Sequence, residues 1–154
     1  MNPDLKIVKT LLEHPKTPYT KDKNNLILLF LIGYGSSGIF TNRFSSAQEI
    51  VAQYILDQGY IHDINGKELS VPNSTDYTYN LVSHMNKGNT LLHLSYVVGC
   101  TINDDEPKNK KYIAFLLKNG ANVNIKNNMG FTPEKYFAEY KTVMKLHLTM
   151  FSPV

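Results

Sequence analysis

Three stretches of the chain share one arrangement of apolar positions. They are Ile7-Val-Lys-Thr-Leu11-Leu12-Glu-His-Pro15, Val51-Ala-Gln-Tyr-Ile55-Leu56-Asp-Gln-Gly59 and Tyr112-Ile-Ala-Phe-Leu116-Leu117-Lys-Asn-Gly120. Each sets apolar residues at i, i+4 and i+5, which share one face of a helix. Each then meets a helix stop. Gly59 and Gly120 suit the left-handed residue that ends a helix, and Pro15 lacks the N–H a helix needs. A second kind of segment opens with glycine: Gly88-Asn-Thr90-Leu-Leu92-His93-Leu-Ser95 and Gly130-Phe-Thr132-Pro133-Glu-Lys-Tyr-Phe137. Here the Thr90 and Thr132 hydroxyls are placed to cap the helices that follow. Between Gly120 and Gly130 lies the polar loop Ala121–Met129.

These residues resemble the ankyrin repeat. Its pattern, G-x-T-P-L-H-x-A, then a second helix ending in L-L-x-x-G-A, then x-V-N and a glycine-opened next repeat, is met across Gly88 to Pro133. Leu91 stands where the family has Pro, and Ser95 where it has Ala. The repeat runs 42 residues (130 − 88) against about 33 in the family. The extra residues fall in Cys100–Lys111. The resemblance implies an all-α fold, a short ankyrin-like helical solenoid of about three to four repeats including caps, with finger loops. It implies one domain over 1–154: a capping helix near Pro3–His14, a repeat from about Asn25 to Gly59, a second from Gly88 to Gly120, and a C-terminal cap from Gly130 to about Met150. Fingers are expected at Lys16–Asn24, Tyr60–Gly66 and Ala121–Met129. Insertions are expected at Ser36–Ser46, Cys100–Lys111 and within Tyr60–Lys87. The resemblance also makes His93 structural, bonded to the backbone of a neighbouring turn.

A competing signal lies in Leu26–Phe40, LILLFLIGYGSSGIF. Gly33-Tyr-Gly35-Ser-Ser-Gly38 is a G-x-G-x-x-G, and Asp57 follows Gly38 by 19 residues (57 − 38). That is the dinucleotide-binding fingerprint, in which glycines let backbone approach a pyrophosphate at a helix N-terminus. The fingerprint needs a preceding strand and a βαβ unit. The repeat register instead makes LILLFLI the first helix of a repeat, so the glycines fall in a lengthened inter-helix turn. A nucleotide-binding enzyme using Gly33–Gly38 is the alternative class, and no cofactor is expected on the leading reading.

Composition narrows the remaining choices. The 154 residues are 42 % apolar and 19 % charged, with net charge +3. This is the balance of a globular domain with a core. The Lys108–Lys111 run follows Asp104-Asp105-Glu106, so local charges largely cancel and nucleic acid is not an expected partner. The lone Cys100 points to a reducing compartment, and the expected location is cytoplasmic. No leader-like or membrane-spanning segment is read. The histidines His14, His62, His84, His93 and His147 are scattered, so no metal site and no catalytic residue are expected.

What is left is surface. In solenoids of this kind the finger tips and first helices meet protein partners. By position the contact residues are Tyr19, Lys21 and Lys23, then Tyr60, His62 and Asp63, then Asn124, Lys126 and Asn128. Tyr77 and Tyr79 join them from the insertion, and Phe40, Arg43 and Phe44 form a second patch of the composition seen at binding hot spots. The expected function is non-enzymatic binding and masking of another protein, a toxin or enzyme, by a chain monomeric when free. An immunity or inhibitor role of bacterial type is favoured over a pathogen effector, a viral host-factor binder or a self-associating module.

Overall fold

The computed structural model describes residues 3–14, 44–61, 63–67, 88–97, 100, 101, 103–140 and 142. Along them run α1 (Pro3–Leu12), α2 (Ser46–Asp57), α3 (Leu91–Val97), α4 (Lys110–Lys118) and α5 (133–140). There is no β-strand among the described residues, and the architecture is an all-α, short helical repeat solenoid. Helix α1 packs on α2, and α3 on α4.

Local chemistry sets the helix ends. At the start of α2, Ser45 Oγ accepts the Gln48 N–H at 3.3 Å, while Gln48 Oε1 accepts the Ser45 N–H at 2.9 Å. This reciprocal pair satisfies two donors that the first helical turn leaves free. The α2 and α4 ends are alike. Gly59 N–H reaches Leu56 O and Tyr60 N–H reaches Ile55 O; Gly120 N–H reaches Leu117 O and Ala121 N–H reaches Leu116 O. Both glycines have positive φ, 69° and 96°, so both stops close the last carbonyls of the helix through a left-handed residue. Thr90 Oγ1 accepts the His93 N–H and Thr132 Oγ1 accepts the Lys135 N–H, each at 3.4 Å, capping α3 and α5. Leu91 takes the first helical position, where proline is optional. It is fully buried instead. Ser95 is buried too, and its hydroxyl is satisfied by Leu92 O at 2.8 Å.

The main core joins α2, α3 and α4, with Leu5, Val8 and Leu12 of α1 packed on its margin. This corrects the expected rotation of α1. Of the apolar set Ile7, Leu11 and Leu12 read for this helix, Leu12 packs on the core, while Ile7 and Leu11 are each 59 % exposed. Leu5, Val8 and Leu12 form an equally regular apolar face, and contacts from α2 select it. Tyr54 donates to Glu13 Oε1 at 2.6 Å, and Lys9 Nζ lies 4.9 Å from the centre of the Tyr54 ring.

A second correction concerns Phe44. It was expected on an exposed patch beside Arg43, but it is only 4 % exposed. Its ring meets Tyr112 edge-on at 5.0 Å and Phe115 at 5.3 Å. Immediately before α2, it carries an aromatic side chain into α4 and ties the two repeats together.

The insertion before α4 is closed at its base. Asn109 Nδ2 donates to Ser95 O at 3.4 Å, so the two ends of the loop meet on α3. Lengthening a loop whose ends are already held costs little, because closure entropy grows only with the logarithm of length. Within it Asp104 pairs with Lys108 at 3.4 Å, and Glu106 pairs with Lys110.

Candidate functional site

The finger turns are built by side-chain oxygens that fold the chain back on itself. Asp63 Oδ1 accepts the Asn65 N–H and Asn122 Oδ1 accepts the Asn124 N–H, both at 2.8 Å. Asp63-Ile-Asn65 and Asn122-Val-Asn124 are thus the same turn built twice, a local geometry that Asp and Asn favour. A bridge then joins the two turns. Asn65 Nδ2 donates to Gly120 O at 3.0 Å, and Asn65 Oδ1 accepts the Asn122 N–H at 2.9 Å. Both halves of one amide are spent holding neighbouring fingers side by side. Gln53 Nε2 adds a parallel link from α2 to Asn119 Oδ1 at 3.1 Å.

The base of the last finger is fixed by Asn127, which is 5 % exposed. Its Oδ1 accepts the N–H groups of Met129 and Phe131, each at 3.0 Å, and its Nδ2 donates to Asn89 Oδ1 at 2.9 Å. Asn89 is fully buried at the start of the preceding repeat. The finger is therefore tied back to the repeat below it. Gly88, with φ 82°, completes the fit: a Cβ there would come within 2.3 Å of Asn128 Oδ1.

His93 spans the same junction, as expected. Thr90 N–H donates to Nδ1 at 3.2 Å, so Nδ1 carries no proton and Nε2–H is the donor. Nε2 meets Phe131 O at 2.7 Å. Burial holds the imidazole below its usual pKa; the Phe131 carbonyl opposes this, and the Lys67 charge adds to it. Both ring nitrogens are thus engaged within the fold.

The predicted contact residues separate into four groups. Asp63, Asn124, Lys126 and Asn128 are exposed on the bridged fingers. Tyr60 is half-buried and packs on the main core, so it offers only part of its surface. Phe44 is core. Tyr19, Lys21, Lys23, Phe40, Arg43, His62, Tyr77 and Tyr79 lie outside the described residues, as do the Gly33–Gly38 loop, the predicted first helix before it and residues 143–154. The finger also exposes two apolar residues that the sequence reading passed over, Val123 (45 %) and Met129 (48 %). The repeated Asp/Asn-aliphatic-Asn pattern carried no signal for this exposure, because its other copy, Ile64, packs on the main core.

The acidic loop offers little chemistry. The Thr101 N–H, bonded to Asp104 Oδ2 at 2.5 Å, and Lys108 hold the Asp104 carboxyl below its ordinary range. Among the described residues no three His, Cys, Asp or Glu side chains gather as metal ligands would, and no helix is long and apolar enough to cross a membrane.

Comparison with known proteins agrees with the geometry of the junction. Residues 87–128 match the family model of the ankyrin repeat. No curated protein and no solved structure matches the chain. Ankyrin repeats generally mediate protein–protein interaction and are typically non-enzymatic. The glycine-opened α3, the His93 bridge, the α4 stop at Gly120 and the asparagine finger all fall within or at the edge of the matched segment, so residues 87–128 are similar to an ankyrin repeat in sequence and in local geometry.

Proposed function

We propose that this chain is a non-enzymatic binding module that recognises another protein on its finger face and masks it. The observation that carries this reading is the Asn65 bridge between the two finger turns. It prepays the ordering of the fingers, and a preformed surface loses less entropy on binding. The face it builds joins Asn124 and Lys126 with exposed Val123 and Met129. Apolar tips ringed by polar groups have the anatomy of a protein interface. Tyr19, Lys21, Lys23, His62, Tyr77 and Tyr79 extend this face in the proposal, Arg43 belongs to a second patch, and the free chain is monomeric and cytoplasmic. Masking fits a partner whose own activity must be blocked, such as a toxin or enzyme, in an immunity or inhibitor role of bacterial type.

The test is affinity capture from the native source with parallel baits, the wild-type chain and Lys126→Glu. The proposal predicts one stoichiometric protein partner on the wild type and its loss on the variant, with equal thermal melting of the two baits. Equal retention on both, or a nucleotide carried by the chain in place of a protein, overturns it.

A further inference from the structure

The chain holds two Asn-Gly dipeptides, Asn65-Gly66 and Asn119-Gly120, and the fold brings them together. Asn65 Nδ2 donates to Gly120 O at 3.0 Å, and Gln53 Nε2 donates to Asn119 Oδ1 at 3.1 Å. Asn-Gly carries its own chemistry. Glycine has no Cβ to hinder its backbone nitrogen, which can attack the preceding Cγ. The new N–Cγ bond closes a five-membered succinimide. The Cγ–Nδ2 bond breaks, and the amide leaves as ammonia with the proton from the glycine nitrogen. Water then opens the ring at one carbonyl or the other. Aspartate forms in one case and isoaspartate in the other, for a net exchange of one water for one ammonia.

The surroundings set how easily each site reaches that geometry. In both dipeptides the glycine N–H is engaged, Gly66 with Asp63 O at 3.0 Å and Gly120 with Leu117 O at 3.2 Å. Attack therefore needs the local turn to open. At Asn119 the turn is the end of α4. The Asn119 N–H meets Phe115 O and Leu116 O, and its Nδ2 donates to Phe115 O at 2.9 Å. Opening it unwinds backbone beside Leu116 and Ala121, both buried. At Asn65 the turn is a finger between exposed Asp63 and exposed Lys67, with only half-buried Ile64 packed on the core. Besides the bridge it is closed by the Gly66 bond and by Asp63 Oδ1, which accepts the Asn65 N–H. Local opening is easiest where few buried apolar contacts must be broken.

We propose that Asn65 is a deamidation site, and that its reaction unties the two fingers while Asn119 is spared. In the aspartate product one oxygen still accepts the Asn122 N–H. The other faces the Gly120 carbonyl oxygen, where the amide N–H had been, with no proton between them. In isoaspartate Cγ becomes part of the main chain. The fork that reached Gly120 O and the Asn122 N–H no longer exists, and both ties are lost. Ammonia escapes to solvent, so the change runs one way and acts as a slow spontaneous switch on the finger bridge. The bridge is broken whether or not a partner uses the fingers.

Ageing the full wild-type chain at mildly alkaline pH and mapping its peptides by mass spectrometry tests this. The expected result is a gain of one mass unit at Asn65, with isoaspartate present, at a rate roughly tenfold or more above that at Asn119. In urea the two sites should react alike, because the fold no longer separates them. Reaction at Asn119 first or equally in the folded chain, no reaction at Asn65, or a preference for Asn65 that persists in urea overturns the site. The isoaspartate form, separated by ion exchange, then reports on the bridge by hydrogen exchange. The Asn122 amide should lose protection by roughly five- to thirtyfold, the effect of one or two lost bonds, with 112–116 unchanged. Unchanged protection at Asn122, or equal loss in both places, overturns the untying.

Discussion

Replacing Asn127 with alanine tests whether polar clamps, as well as apolar contact, hold the stack together. The substitution leaves the backbone bond from Asn127 N–H to Phe131 O at 2.9 Å. It removes three others, to Met129 N–H, Phe131 N–H and Asn89 Oδ1. Each such bond contributes about 1 kcal/mol net. Met129 is half exposed, so water can replace the acceptor of its N–H and that bond counts for least. Asn89 is fully buried, and its Oδ1 loses a donor where water does not reach, which raises the cost of that loss. The expected destabilisation is about 2–3 kcal/mol. Urea unfolding followed by circular dichroism reads it as a lower midpoint with an unchanged slope. Asn89→Ala and the double variant complete a cycle, with a coupling near 1 kcal/mol for the shared bond. A loss below about 0.5 kcal/mol for Asn127→Ala, within the range of ordinary surface substitutions, would refute the view that this side chain ties the finger to the repeat.

Other outcomes follow from the same geometry. Gly120→Ala meets no atom within 4 Å and should cost only the left-handed strain, about 1 kcal/mol. Gly88→Ala should cost more by thermal melting, because its Cβ also strikes Asn128, and the excess should shrink in an Asn128→Ala background. Phe44→Ala should cost about 3–5 kcal/mol as a core aromatic, and a partner-binding defect without that loss would restore Phe44 to the surface. The Tyr54 hydroxyl, donating to Glu13, has its pKa raised to about 12. Its contribution to α1 docking is present below about pH 10 and is lost as pH rises through 12. Ultraviolet titration should show this tyrosine ionising later in the wild type than in Glu13→Gln.

Much of this architecture is written in short-range chemistry and can be read from the chain. Gly59, Gly88 and Gly120 mark positive φ because the turns demand it, Thr90 and Thr132 mark helix starts through bonds within one turn, and Pro133 does so through its fixed φ. His93 was legible as structural only through its repeat motif, since its Phe131 partner lies 38 residues away. Two features resisted because they depend on other elements. Ile7 and Leu11 match the helical period as well as Leu5, Val8 and Leu12 do, and Tyr54 on α2 decides between them. Phe44 next to Arg43 has the composition of an exposed patch, yet Tyr112 and Phe115 of the next repeat take it inside. The Asn65 bridge is hidden for the same reason. An asparagine before a glycine reads as a turn, and only the adjacent finger reveals that its amide joins two repeats. The sequence placed Asp63, Asn124, Lys126 and Asn128 on the fingers, where they are exposed, and passed over the exposed apolar Val123 and Met129.

The most direct test of the binding account is a hydrogen-exchange footprint of the chain with and without its captured partner. Among the described residues, the account predicts new protection confined to the finger turns at 63–67 and 120–129, with the exposed sides of α2 and α4 unchanged. Protection on α2 and α4 with the fingers still exchanging freely would place the interface elsewhere and contradict the assignment.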